Sequence, residues 1–208
     1  MIVFRALSAL LSYPSEEMRR ALPEIADTIR TTSIVTPVEQ RGLLDLIDEL
    51  GSGDLLAAEE RYVDLFDRGR ALSLNLFEHL HGESRDRGEA MVELKQVYER
   101  AGFELSTNEL PDYLPVVLEY LSCRDLTEAR EMLADCAAIL TTIGRSLVAR
   151  QSRYAAVLQA LLVFAGENPI DVAKIPPVME RTDTLDPDWV EQPAFAGAPA
   201  TPAGTPTA

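Results

Sequence analysis

Between Phe66 and Gly88 the chain gathers four acids, four arginines, two histidines and three glycines into twenty-three residues, FDRGRALSLNLFEHLHGESRDRG. Three of them, His79, His81 and Glu83, alternate, and on a strand that spacing would set three metal ligands on one face. The surrounding sequence has helical periodicity, and on a helix residues 79 and 81 point about 200° apart. Only His79 and Glu83 then share a face. Gly82 interrupts even that pair, and no third ligand follows at a recognised spacing. Ser73 and Ser84 lack the sharp strand-to-helix turn of an activated serine. Asp67-Arg68-Gly69 lacks the glycine spacing and the following Lys-Ser/Thr of a phosphate-cradling loop. Each histidine taken singly reads as a cap or a hydrogen-bonded structural group. The chain is therefore expected to hold no catalytic residue, no metal and no cofactor, and a metal-dependent enzyme using His79, His81 and Glu83 stands as the alternative.

The elements that position this stretch are helices. Val3, Phe4, Leu7, Leu10 and Leu11 form one apolar stripe, and Met18, Ala21, Leu22, Ile25 and Ile29 form the next after Pro14 and Ser15. Thr36-Pro37-Val38-Glu39 has the cap, first-turn proline and returning Glu of a capping box, ahead of Leu43, Leu46, Ile47 and Leu50. Asp54 can cap a helix in which Leu55, Ala58, Tyr62, Leu65 and Phe66 face one way. Asp86-Arg87-Gly88-Glu89 can start another, carrying Tyr98 and stopping at Gly102. A further helix follows Pro111. One long stripe then runs from Met132 to Leu147 behind a cap at Thr127, and a last one runs from Tyr154 to Leu162. Alternating β-branched runs are absent, so the expected class is all-α, a single multi-helix domain over residues 1–166. Residues 167–192 read as an irregular acidic extension able to lie on that domain. Residues 193–208 are uncharged and rich in Pro, Ala and Gly, and read as disordered.

Charge narrows the partner. The chain has 34 acidic against 19 basic residues, a formal charge of −15, which repels nucleic acid and anionic membranes alike. Residues 67–88 are neutral in sum. The excess lies in 89–122, with seven acids against two bases, and in 167–192, again seven against two. A negative surface beside paired charges suits a cationic amphipathic helix laid in a groove. Cys123 and Cys136 are far from any metal-binding spacing and read as reduced core thiols of a cytosolic protein. MIVFRALSALLSYP has an Arg inside its apolar run, and reads as a first helix rather than a leader.

YVDLFDRGRALSLNLFEHLHGESRDRGEAMVELKQVYERAGF, followed by ELPDYLPVVLEYLS, closely resembles the NarJ-type assembly chaperones of respiratory nitrate reductase, relatives of the TorD-like maturation proteins of molybdenum enzymes. The match spans about residues 1 to 165. The resemblance implies a cytoplasmic all-helical chaperone that binds the apo catalytic (alpha) subunit of nitrate reductase. Its contact would include that subunit's basic amphipathic N-terminal segment. It also implies that the chaperone permits molybdenum cofactor insertion, delays membrane docking and then departs, with molybdenum cofactor delivery proteins as further partners. In the TorD-like relatives a Pro-Asp motif lines the peptide groove. Pro111-Asp112-Tyr113 stands in that place here, with Tyr where His is frequent. On that basis Asp112 and Glu119 are expected to meet the segment's cations, and Tyr62, Phe66 and Tyr113 to line its apolar side. Asp67, Arg68, Arg70, His79, His81, Glu83 and Arg87 are expected to shape the wall or touch the partner. A constitutive helical scaffold subunit is the remaining alternative.

Overall fold

A computed structural model of the chain describes residues 1–82, 84–105 and 109–178. Within them are ten α-helices and no strand: α1 (Ile2–Leu11), α2 (Glu16–Thr31), α3 (Pro37–Gly51), α4 (Leu55–Phe66), α5 (Leu76–His81), α6 (Arg85–Arg100), α7 (Leu114–Ser122), α8 (Leu126–Asp135), α9 (Ala137–Ala149) and α10 (Ala155–Ala165). The compact unit extends from Met1 to Pro177. It takes in Ile170, which is buried, and Ile175, which packs on the core. The Pro-rich tail and Trp189 lie outside the described residues. No single described helix is long and apolar enough to cross a membrane.

The most apolar helices occupy the centre. α1 packs along α7, which buries eight of its nine residues, and the buried Ser8 is satisfied across their seam, donating to the Pro115 carbonyl at 2.8 Å. α10 lies against α9, α3 and α8. Its contact with α9 is close enough that a Cβ on Gly144 would stand 3.2 Å from the Leu158 Cβ and overlap the Ile170 side chain. The amphipathic α2 and α3 cover this core from outside, as their stripes require.

Local signals decided most helix ends. Thr36 caps α3, accepting from the Val38 amide at 3.3 Å. Glu39 turns its carboxylate to the Thr36 hydroxyl rather than to the backbone. Gly102, at φ 72, ends α6 with the paired bonds of a Schellman turn: the Phe103 amide reaches the Tyr98 carbonyl at 2.9 Å and the Gly102 amide the Glu99 carbonyl at 3.0 Å.

Other expectations change. Asp54 sits at the start of α4, but its side chain caps nothing. α6 starts a residue earlier than expected, after Ser84. The stripe from Met132 to Leu147 is two helices meeting at 69° around Cys136. The cap of the first, α8, is Asp125, not Thr127, with one carboxylate oxygen accepting from Thr127 and Glu128 amides at 2.9 and 3.0 Å. Cys136 is half-buried, its thiol pushed up to about 11 by burial, whereas Cys123 is exposed rather than part of the core.

Candidate functional site

The 66–88 stretch is a stitched corner. After α4 the chain makes a 3-10 turn at Arg70–Leu72, and Asn75 then forms a one-residue antiparallel bridge with Tyr113. Around the bridge, Leu114 N–H donates to the Leu74 carbonyl at 2.8 Å and Leu76 N–H to the Asp112 carbonyl at 3.0 Å. The Asp112 carboxylate completes the seam by accepting from the Phe77 amide at 2.9 Å. The first amides of α5, like those of any helix, lack a partner within it. Asp112 supplies acceptors to the first two. Its side chain is wholly buried, with one oxygen unpartnered. Desolvation pushes its pKa above the ordinary carboxylate value, opposed by the Phe77 amide and the positive charge of Arg87. Asp112 therefore holds a helix start, and its carboxylate is covered while α6 lies in place.

Tyr62 and Phe66 are also core residues. Tyr62 donates to the Leu11 carbonyl at 2.8 Å, so the 3.0 Å contact between Tyr62 and Tyr113 hydroxyls is donated by Tyr113. Burial drives the Tyr62 hydroxyl far above its usual range. Tyr13, Phe66 and Tyr154 stack edge-on around that ring or tilt against it, Phe66 at 4.8 Å between centroids. The groove expected along Tyr62, Phe66 and Asp112 is thus filled by those side chains themselves. Tyr113 is half-buried above them, and Glu119 is exposed on α7.

The charged residues mostly meet one another. Arg87 pairs with Glu78 at 3.1 Å and Arg68 with Asp64 at 2.9 Å, while Asp67 is exposed at the end of α4. The Arg70 guanidinium lies over Gly82, where a Cβ would stand 3.2 Å from Nη2. His79 Nε2 lies 2.9 Å from the Ser73 carbonyl. A carbonyl only accepts, so that nitrogen carries the proton. His81 sets its ring edge-on to Phe77. Among the described residues no three His, Cys, Asp or Glu side chains converge on a metal-sized site. Glu83 lies outside the described residues.

The acidic surplus forms a surface elsewhere. A cleft of about 680 Å³ opens between the end of α6 and residues 103–105 and 109–111, with Tyr98, Phe103, Leu105 and Pro111 as apolar lining and Glu99, Glu104 and Glu109 as carboxylates. Its one lysine, Lys95, stands 3.8 Å from Glu99. Glu119 continues the rim: partial burial and the like charge of Glu109 push its pKa up, with Arg5 opposing. A second groove, of about 430 Å³ between α3 and α10, is charged only by Glu39, Asp45 and Arg153, and Glu39 is tied to Thr36. Charge therefore selects the α6 cleft for a cation. Its carboxylates belong to the 89–122 excess visible in the sequence, but their convergence depends on the turn at Gly102, and only the structure brings them together.

The described residues thus form an all-helical bundle with an acidic, apolar-floored cleft. The fold is shared with a solved candidate redox enzyme maturation protein from Archaeoglobus fulgidus, at a TM-score of 0.57 and 21% identity over 79% of this chain and 92% of that one. The family described as nitrate reductase delta subunit matches residues 14–160, and the chain belongs to it. It is 41% identical to the nitrate reductase molybdenum cofactor assembly chaperone NarJ of Escherichia coli K12, over 92% of this chain and 84% of that protein. A probable NarJ of Bacillus subtilis is 35% identical over 77% of this chain and 86% of its own length. The chain is thus an assembly chaperone by kinship, and its named relatives are not catalysts.

Proposed function

We propose that this chain binds the apo catalytic subunit of a respiratory nitrate reductase in the cytoplasm, through that subunit's basic amphipathic N-terminal segment. It holds the subunit away from the membrane while the molybdenum cofactor enters, and then departs. The cleft at the end of α6 carries this reading: three carboxylates and one lysine stand over an aromatic floor. Such a surface attracts cations by its potential and retains an apolar face by burial. Glu119 extends the acidic rim, and Tyr113 lies between that rim and the core.

The reading is tested by titrating the full-length protein with a synthetic peptide of the subunit's first residues. Affinity is expected to fall with salt, because exposed charges are screened. Replacing Glu99, Glu104 and Glu109 by Gln together is expected to weaken binding by roughly tenfold, from about 0.2–1 kcal/mol per exposed pair. Salt-independent binding, or full affinity in the triple variant, would overturn the assignment to this cleft. Co-purification with the mature enzyme rather than the apo subunit would favour a scaffold subunit instead.

A further inference from the structure

α6 is sixteen residues long and buries one side chain fully, Tyr98, whereas the equally long α2 buries five. Met91, Leu94 and Val97 are half-buried and Val92 is exposed. The helix packs chiefly on the short α5. Its C-terminal half is anchored by one aromatic group: Tyr98 donates to the Pro111 carbonyl at 2.8 Å and stacks against Tyr120 at 4.6 Å and Phe103 at 5.5 Å between centroids. Its N-terminal end is held by Arg87 on Glu78, and this seam holds two orphaned groups. Arg87 Nε and one Asp112 oxygen are both buried without a hydrogen bond, although Arg87 lies within electrostatic reach of the carboxylate. Lifting the helix would return both atoms to water and recover their hydration, which lowers the cost of opening. Gly102, with a positive φ of 72°, stands at the C-terminal end of α6, and Gly82, at 58°, closes the preceding α5.

We propose that α6 is a hinged arm that lifts from the Tyr98–Phe103–Tyr120 stack, and that the slot it uncovers takes the apolar face of the segment attracted by the cleft's carboxylates. The proposal rests on the chaperone reading above and extends it. Tyr98 and Phe103 already floor the acidic cleft, so the slot continues the same surface inward. The closed arm then hides apolar surface when no client is present, and only the fraction of open molecules binds fully.

Amide hydrogen exchange on the full chain tests the arm without any client. α6 amides are expected to exchange through an opening of their own, ahead of those in α1, α7 and α10. Tyr98→Phe and Arg87→Gln are each expected to speed α6 exchange by about tenfold while leaving α1 and α7 unchanged, since the first removes a buried hydrogen bond and the second a partly buried ion pair. Tyr98→Phe leaves the charge unaltered, so its peptide affinity should rise by a matching factor. Exchange of α6 only with the whole domain would overturn the arm. Faster α6 exchange in Tyr98→Phe without tighter binding would overturn the slot while sparing the acidic cleft. Absence of peptide binding by the unmodified chain would overturn the chaperone reading and the slot with it, and the exchange data would still report on the arm.

Discussion

Replacing Asp112 separates a cap from a contact. In Asp112→Ala the Phe77 amide loses its acceptor at 2.9 Å, at a first-turn position where the helix offers no other. Loss of such a cap costs about 1–2 kcal/mol. Removing a desolvated carboxylate works in the opposite direction, but the Phe77 amide and Arg87 already compensate that charge in part, so the orphaned amide should dominate. At this chain length the melting temperature should fall by roughly 2–8 °C. Asp112→Asn keeps an acceptor for Phe77 and should lie closer to the unmodified protein. The folded pKa of Asp112 is above its unfolded value, so its contribution to stability is complete below about pH 3.9 and is lost as pH rises through the folded value. The unmodified chain should therefore gain on Asp112→Asn as pH is lowered from 7 toward 4. Urea unfolding followed by circular dichroism, with peptide titration in parallel, measures both effects. Equal destabilisation by Ala and Asn would show that the charge matters rather than the cap. Lost peptide affinity in a fully folded Asp112→Asn would restore the carboxylate as a direct contact.

Two further substitutions probe the frame around the site. Tyr62→Phe strands the Leu11 carbonyl and the Tyr113 hydroxyl, and should cost about 1–3 kcal/mol by chemical denaturation; an unchanged midpoint would mean that water replaces the phenol. Gly144→Ala gains about 1 kcal/mol of helix propensity but drives a methyl into Ile170 and to 3.2 Å from the rigid Leu158 Cβ, an overpacking worth about 1–3 kcal/mol. Net destabilisation is expected, together with increased proteolysis around Ile170, and a more stable variant would show that Ile170 moves aside freely.

The helices were legible where the signal is local. Thr36-Pro37 opened α3 as a first-turn proline behind a capping hydroxyl should, and Gly102 closed α6 because only a left-handed residue completes that turn. The bend at Cys136 was hidden because the apolar stripe continues in phase through it, with no glycine or proline to mark the break. The setting of Asp112 was hidden for a different reason. The expectation for it came from a family motif, which says nothing of how deeply the carboxylate lies or what it bonds. Its true partner, the Phe77 amide, lies thirty-five positions away, and nothing in the pattern of either segment reveals the pairing.

The densest cluster of chemical residue types is, at its centre, occupied largely with itself. Residues 67–88 balance four acids against four bases, and such a balance lets the groups satisfy one another: Glu78 with Arg87, His79 with a backbone carbonyl, Asp112 from outside with the start of α5. A buried charge is costly unless answered, so these pairings serve the fold first. Recognition needs the reverse, charge left unanswered at the surface. The carboxylates of 89–122 meet that condition because they outnumber the bases near them, and α6 carries several of them beside a single fully buried anchor. Weak packing and unbalanced charge on one helix are thus a coupled pair of features: the first lets the helix move, and the second gives a cationic client a reason to approach it.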